Sequence, residues 1–163
     1  MSLQAIAAIL LYLTSACLLG IRIVTSSEVF NKRRTIALIS GAIGIVLHGH
    51  LLYQSIILAI GFDFGFFNAI SLVTWLVAFI VLLSSLLLPL ENLLLVLLPA
   101  AGLAIVLELT IPGGRILNES LPIGLRIHIL LSICAYSLLM ISAVQAIMLA
   151  VQEKLIKEKR VAI

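Results

Sequence analysis

Charged residues are scarce in this sequence. Only 10% of the 163 residues are Asp, Glu, Lys or Arg, whereas 63% belong to the hydrophobic set; soluble domains carry about 25% charged residues. A water-soluble fold of this size leaves a large share of its surface in contact with solvent, so it could not hide so much apolar surface. With a mean hydropathy of +1.32, the chain is predicted to be an integral membrane protein.

Residues that catalysis commonly needs are also missing. The only aspartate is Asp63, and the sequence has no His-Glu-x-x-His motif, no glycine-rich phosphate loop and no spaced Ser/His/Asp set. Hydrolysis or phosphoryl transfer by this chain alone is therefore not expected, and the sequence favours a protein that is not an enzyme without deciding the matter. Cys17 and Cys134 lie inside apolar segments without a C-x-x-C or Cys/His spacing, which predicts buried structural thiols.

The apolar residues form long unbroken runs rather than the alternation of barrel strands, which predicts spanning helices. We expect an all-α polytopic bundle forming one transmembrane domain. Its five helices are predicted at residues 3–24, 35–60, 68–88, 93–110 and 123–151, and a basic tail follows at 152–163. The longest connection is the turn region "IPGGRILNESLP". The first segment lacks a positive leader, so it is predicted to be retained as a helix rather than cleaved as a signal.

The basic residues predict the orientation. Eight of the ten Lys and Arg lie at the first connection or in the tail, and only Arg115 and Arg126 lie near the fourth connection. Because cytoplasmic loops carry the excess of positive charge, the N-terminus is predicted outside and the C-terminus in the cytoplasm, in a bacterial inner membrane. Charges gathered at helix ends form no basic face, so the bilayer is expected to be the partner and nucleic acid is not.

Ionisable residues are rare inside spanning segments, so each one is treated first as a candidate functional residue. Here they are His48, His50, Glu108, Arg126 and His128. At about 100° per residue, Ala37, Gly41, Gly44 and His48 share one stripe of the second helix, which predicts that His48 faces the bundle interior. His50 lies about 160° away, so the two imidazoles are not expected to share a metal. A hydrogen bond from His50 to Gln54 or to a neighbouring helix is expected.

The fifth helix has a similar stripe. It contains His128, Ser132, Ala135, Ser142 and Ala146, which predicts an inward-facing His128 within about 10 Å of the outer membrane face, with His48 about 18 Å below that face. Glu108 is expected at a depth close to that of Arg126. Two alternatives are open here: an ion pair between Glu108 and Arg126, or an anionic ligand received by Arg126 and Arg115.

Two segments carry a family resemblance. The order of "ISGAIGIVLHGHLL", an exterior turn and "GLRIHILLSICAYSLLMISAVQAIMLA" with its basic tail resembles the cytochrome c assembly family of membrane proteins, in particular the HemX-like inner-membrane branch. In that family a histidine, four apolar or small residues and a small-aromatic pair are characteristic of a long helix. His128, Ser132, Ala135 and Tyr136 stand at the matching positions, and the resemblance covers most of the chain.

The resemblance implies a protein that binds or handles haem in cytochrome c biogenesis. It implies that His128 is an axial ligand of the haem iron, that His48 is a further haem-binding position, and that Arg126 and Arg115 lie near the propionates. Family members continue through further helices with a second outer histidine. The expected partners are therefore other cytochrome c assembly proteins, a missing C-terminal half or a second copy. The tryptophan-rich motif of haem-delivery members is absent, since Trp75 is the sole tryptophan.

Two other functions are open. The chain could be a non-catalytic membrane subunit or small transporter component in which His128, Arg126 and Glu108 form a structural network. It could also be an inactive fragment of a longer family member.

Overall fold

The computed structural model describes residues 2–24, 30–58, 61–111, 116–117 and 122–161. Five helices make up most of this part of the chain: α1 (Leu3–Val24), α2 (Phe30–Ile56), α3 (Phe66–Leu87), α4 (Glu91–Thr110) and α5 (Ile123–Val161). Each is long and apolar enough to cross a membrane. The prediction of five helices compatible with a multi-pass membrane protein is therefore confirmed.

Three helices extend beyond their predicted limits into polar sequence, and α4 does so by the two residues Glu91 and Asn92. Helix α2 begins at Phe30, not at residue 35, because lysine and arginine are good helix formers even where hydropathy falls. Helix α5 continues through the basic tail to Val161. Two exposed ion pairs at i,i+4 spacing support the helical tail: Lys154 with Glu158 at 3.9 Å and Lys157 with Glu153 at 2.7 Å.

A small antiparallel sheet joins two of the connections, and the sequence did not predict it. Strands β1 (Ile57–Leu58), β2 (Gly61–Asp63) and β3 (Ile116–Leu117) pair in the order β1-β2-β3. In register, Ile57 lies opposite Phe62, and Asp63 lies opposite Ile116. The α2–α3 and α4–α5 connections therefore lie at the same end of the bundle, which we call the sheet end.

Helices α1 to α4 form the core. Helix α1 packs against α2 and α4, and α3 packs against α2 and α4. Buried apolar side chains from all four helices fill the interior, among them Ala8, Leu19, Ile45, Val81, Leu94 and Leu98. Helix α5 is peripheral: α3 is its main neighbour, and only 6% of its most apolar stretch is buried. The described chain is thus a four-helix core with a fifth helix along one side.

Candidate functional site

The interior of the four-helix core contains a hydrogen-bonded histidine. Tyr12 on α1 contacts His48 Nδ1 through its hydroxyl at 3.1 Å, and Ser71 Oγ on α3 lies 2.9 Å from His48 Nε2. All three side chains are fully buried. A neutral imidazole donates at one nitrogen and accepts at the other, and a hydroxyl can do either, so this arrangement satisfies both ring nitrogens in either tautomer. The inward orientation predicted for His48 agrees with the structure.

Small residues on α2 bring the histidine this close to α1. A Cβ atom placed on Gly44 would lie 2.8 Å from Tyr12 Cδ1, and one on Gly41 would lie 3.1 Å from Ser15 Oγ. The Ser15 hydroxyl donates to the Ala37 carbonyl at 2.7 Å, on the same stripe. Without side chains at the two glycines, α1 packs directly onto the α2 backbone, as small residues allow in membrane helix pairs.

His50 lies on another side of α2, as its spacing from His48 predicted. Its Nδ1 is 2.8 Å from Gln4 Nε2 on α1, and the same Gln4 amide donates to the Leu47 carbonyl at 3.1 Å. Of the two partners expected for His50, the structure selects a neighbouring helix. The two histidines therefore have different hydrogen-bond partners: His48 contacts Tyr12 and Ser71, and His50 contacts Gln4.

His128 does not face the bundle interior, and that prediction was wrong. Helix α5 contacts the core through a seam of buried Ser137 and partly buried Met140, Ile141, Val144 and Met148. His128 is about 180° around the helix axis from Ser137 and is exposed. The stripe of small residues gave a wrong prediction because every side of α5 is apolar. The side that packs on the core is instead formed by the longer and more adaptable methionine and isoleucine side chains.

The position of His128 leaves its imidazole accessible. It makes no hydrogen bond or ion pair within the described part of the chain, whereas both nitrogens of His48 are engaged. His128 lies in the second turn of α5, at the sheet end. Arg126 is also exposed, but two residues along a helix it points about 200° away from His128. Arg115 lies outside the described residues.

Glu108 pairs with a serine rather than with Arg126. The Ser55 hydroxyl on α2 donates to Glu108 Oε1 at 2.5 Å, while Glu108 Oε2 is buried and has no hydrogen-bond partner within the described ranges. Of the two alternatives for Glu108 and Arg126, the ion pair is therefore not formed. The carboxylate ties the sheet ends of α2 and α4 together.

A charged pair at the opposite end of the bundle was missed in the sequence. The Arg34 guanidinium donates from Nε to Glu91 Oε1 at 2.5 Å and from Nη2 to the Ser85 carbonyl at 2.7 Å. The Glu91 side chain is only 8% exposed, and it lies in the first turn of α4, where the helix dipole favours a negative charge. In the sequence, Arg34 is one of the eight basic residues that predict the membrane orientation, and Glu91 was given no role. The available signal was that a basic and an acidic residue each flank an apolar run.

The cysteines are not buried structural thiols, as had been predicted. Cys17 and Cys134 are both free and exposed on the outer surface of the bundle. Their apolar neighbours in sequence indicate that both cysteines lie within spanning segments. A residue in a spanning segment can face lipid or the protein interior, and the apolar neighbours do not distinguish the two.

The described residues contain no group of three or more His, Cys, Asp or Glu side chains that could hold a metal ion. A haem iron differs from such a site because it needs only one or two axial side-chain ligands. His128 fits that requirement by its accessible imidazole. His48 does not fit it in this arrangement, because iron would have to displace either Tyr12 or Ser71.

Comparisons of the chain with protein-family models, with curated proteins and with solved structures find no match.

Proposed function

We propose that this chain is a haem-handling membrane protein of the cytochrome c assembly type, with His128 as an axial ligand of the iron. It would lie in a bacterial inner membrane with its N-terminus on the periplasmic side. The observation that carries the proposal is the accessible imidazole of His128 at the sheet end of α5, whereas His48 and His50 on α2 already have hydrogen-bond partners.

The chemistry of the site supports this assignment. Haem iron accepts a neutral imidazole nitrogen as an axial ligand. Access to the iron then decides whether it binds another ligand, activates it or transfers electrons. A ligand on the outward side of a peripheral helix leaves the opposite face of the porphyrin open to a second chain. That second chain would be another cytochrome c assembly protein, a C-terminal half or a second copy. Arg126 and Arg115 stay predicted contacts for the propionates.

Haemin titration of the purified full chain tests the proposal. We expect a shifted Soret band in the wild-type protein that is lost in His128→Ala and restored in His128→Gly by added imidazole. His50→Ala is the matched control, because it removes another exposed imidazole, one that is already hydrogen-bonded to Gln4. An identical spectrum in the wild type and His128→Ala would refute the assignment, as would an equal loss in the control.

A second function is favoured by the exposed surface of α5. We propose as the alternative a non-catalytic membrane subunit or transporter component, because α5 packs along one seam and leaves most of its apolar surface outside the core. Affinity purification from mild detergent distinguishes the two. A stoichiometric partner retained in both the wild type and His128→Ala, with no haem bound in either, would favour the subunit.

A further inference from the structure

The sheet end of the core contains a cavity beside Glu108. It has a volume of about 290 Å³ and lies between α2 and α4, with the start of α1 at its edge. Polar lining comes from Ser2, Gln54, Ser55 and Glu108, and the rest is apolar. The volume is near the lower limit of small-molecule pockets, which begin at about 300 Å³. Among the described residues of this lining, Glu108 is the only one with an ionisable side chain, so it contributes a carboxylate to the cavity.

One oxygen of the Glu108 carboxylate is buried and has no hydrogen-bond partner among the described residues. Glu108 Oε1 already accepts from the Ser55 hydroxyl, whereas none of the residues that the structure describes donates to Oε2. Leaving a buried charged acceptor unsatisfied is costly, more so than for a neutral group. Protonation leaves Oε2 unpaired in either form. A proton on Oε1 could be donated to Ser55, but Oε2 would then stay a buried carbonyl oxygen without a donor, and a proton on Oε2 would itself need an acceptor there.

The surrounding groups favour a hydrogen-bond donor with positive charge. The single hydroxyl hydrogen of Ser55 is shared between Glu108 Oε1 at 2.5 Å and the Leu52 carbonyl at 3.3 Å, so toward a further partner the Ser55 oxygen can only accept. The Gln54 amide oxygen and the Ser2 hydroxyl can also accept. An ammonium group has three N–H donors and no acceptor, which matches a lining of several acceptors and one negative charge.

Other cations fit the lining less well. Calcium takes six to eight oxygen ligands and magnesium demands a near-ideal octahedron, whereas one carboxylate lines this cavity. A guanidinium binds best when its fork meets both oxygens of a carboxylate, and here Ser55 already uses Oε1. We therefore propose that the cavity beside Glu108 binds the ammonium group of a primary amine, either a soluble amine or the head group of an ethanolamine lipid.

The test measures binding by the full chain in phosphatidylcholine nanodiscs, with methylammonium as the probe and thermal unfolding as the readout. We expect methylammonium to raise the unfolding temperature, and tetramethylammonium at equal ionic strength not to, because it has no N–H donor. Glu108→Gln should weaken the apparent affinity about tenfold or more, the effect of losing a charge-assisted hydrogen bond. Glu153→Gln, on the exposed tail, is the matched control and should bind as the wild type does.

A second measurement identifies the source of the amine. In nanodiscs with equal phosphatidylethanolamine and phosphatidylcholine, native mass spectrometry counts the lipids that stay bound. Retained phosphatidylethanolamine in the wild type but not in Glu108→Gln assigns the cavity to the lipid. Binding of methylammonium without such retention assigns it to a soluble amine.

Two results would overturn the proposal: equal stabilisation by sodium or guanidinium, or equal methylammonium binding in the wild type and Glu108→Gln. A circular dichroism spectrum of Glu108→Gln that matches the wild type would show that the variant is folded. The outcome is independent of haem binding, since His128→Ala is expected to bind methylammonium normally.

Discussion

Two buried glycines offer a direct test of the contact that holds Tyr12 against His48. Gly44 on α2 and Gly102 on α4 both lie in the middle of a core helix and are both buried. A Cβ on Gly44 would meet two atoms of the Tyr12 ring at 2.8 and 2.9 Å, whereas a Cβ on Gly102 has Ile9 Cγ2 as its nearest neighbour at 3.8 Å. Only the second distance is an ordinary van der Waals contact.

The expected difference follows from these distances. Replacing glycine by alanine inside a helix gains about 0.8–1.0 kcal/mol in either case, because alanine is the better helix former. Overpacking costs about 1–3 kcal/mol, and it applies to Gly44→Ala alone. The Tyr12 ring cannot easily turn aside, since it is buried and its hydroxyl is bonded to His48. Gly44→Ala should therefore be less stable than Gly102→Ala by about 1–3 kcal/mol.

Unfolding by SDS in mixed micelles measures this difference. Trp75 is the only tryptophan, and its indole N–H donates to the Ile45 carbonyl at 2.9 Å, so its fluorescence reports the separation of α2 from α3. Equal free energies of unfolding for Gly44→Ala and Gly102→Ala would refute the close packing of α1 on α2.

Three further substitutions are tested by the same SDS titration. Glu91→Gln leaves the Arg34 guanidinium facing a neutral amide and is expected to cost roughly 1.5–3 kcal/mol, as for hydrogen bonds to charged groups; no change would mean that the pair is not formed in the membrane. Tyr12→Phe removes one buried hydroxyl and should cost about 0.6 kcal/mol and at most about 1.7 kcal/mol; stabilisation would contradict the bond to His48. Lys157→Gln, in an exposed pair with Glu153, should change the free energy of unfolding by less than about 1 kcal/mol, and a larger loss would indicate that the tail packs on the core.

Much of the helical architecture could be predicted because lipid imposes it. Spanning segments must be long and apolar, so all five helices were found, with errors confined to their ends. The end of α2 shows the limit: residues 57–58 were assigned to the helix, yet they pair as strand β1. A short apolar run is compatible with a helix and with a strand. Strand β1 pairs with β2 in the same connection, and β2 in turn pairs with β3 in the α4–α5 connection, which is distant in sequence.

The orientation of side chains within the bundle was only partly predictable. On α2, glycines mark where a neighbouring helix comes close, and this placed His48 correctly. On α5, no feature of the sequence separates the packed seam at Ser137 and Ile141 from the exposed side at His128, because lipid tails are as apolar as a protein core. The Ser55–Glu108 and Arg34–Glu91 pairs depend on which helices are neighbours, and that information is not local in sequence.

The peripheral position of α5 has a consequence for how the chain is made. Proteins are synthesised from the N-terminus and can begin to fold during synthesis. Every partner of the His48 network lies on α1, α2 or α3, and the Arg34–Glu91 pair needs only the first turn of α4 in addition. These interior contacts can therefore all be in place before the ribosome has produced His128, and α5 arrives as a late addition to a core that is already packed.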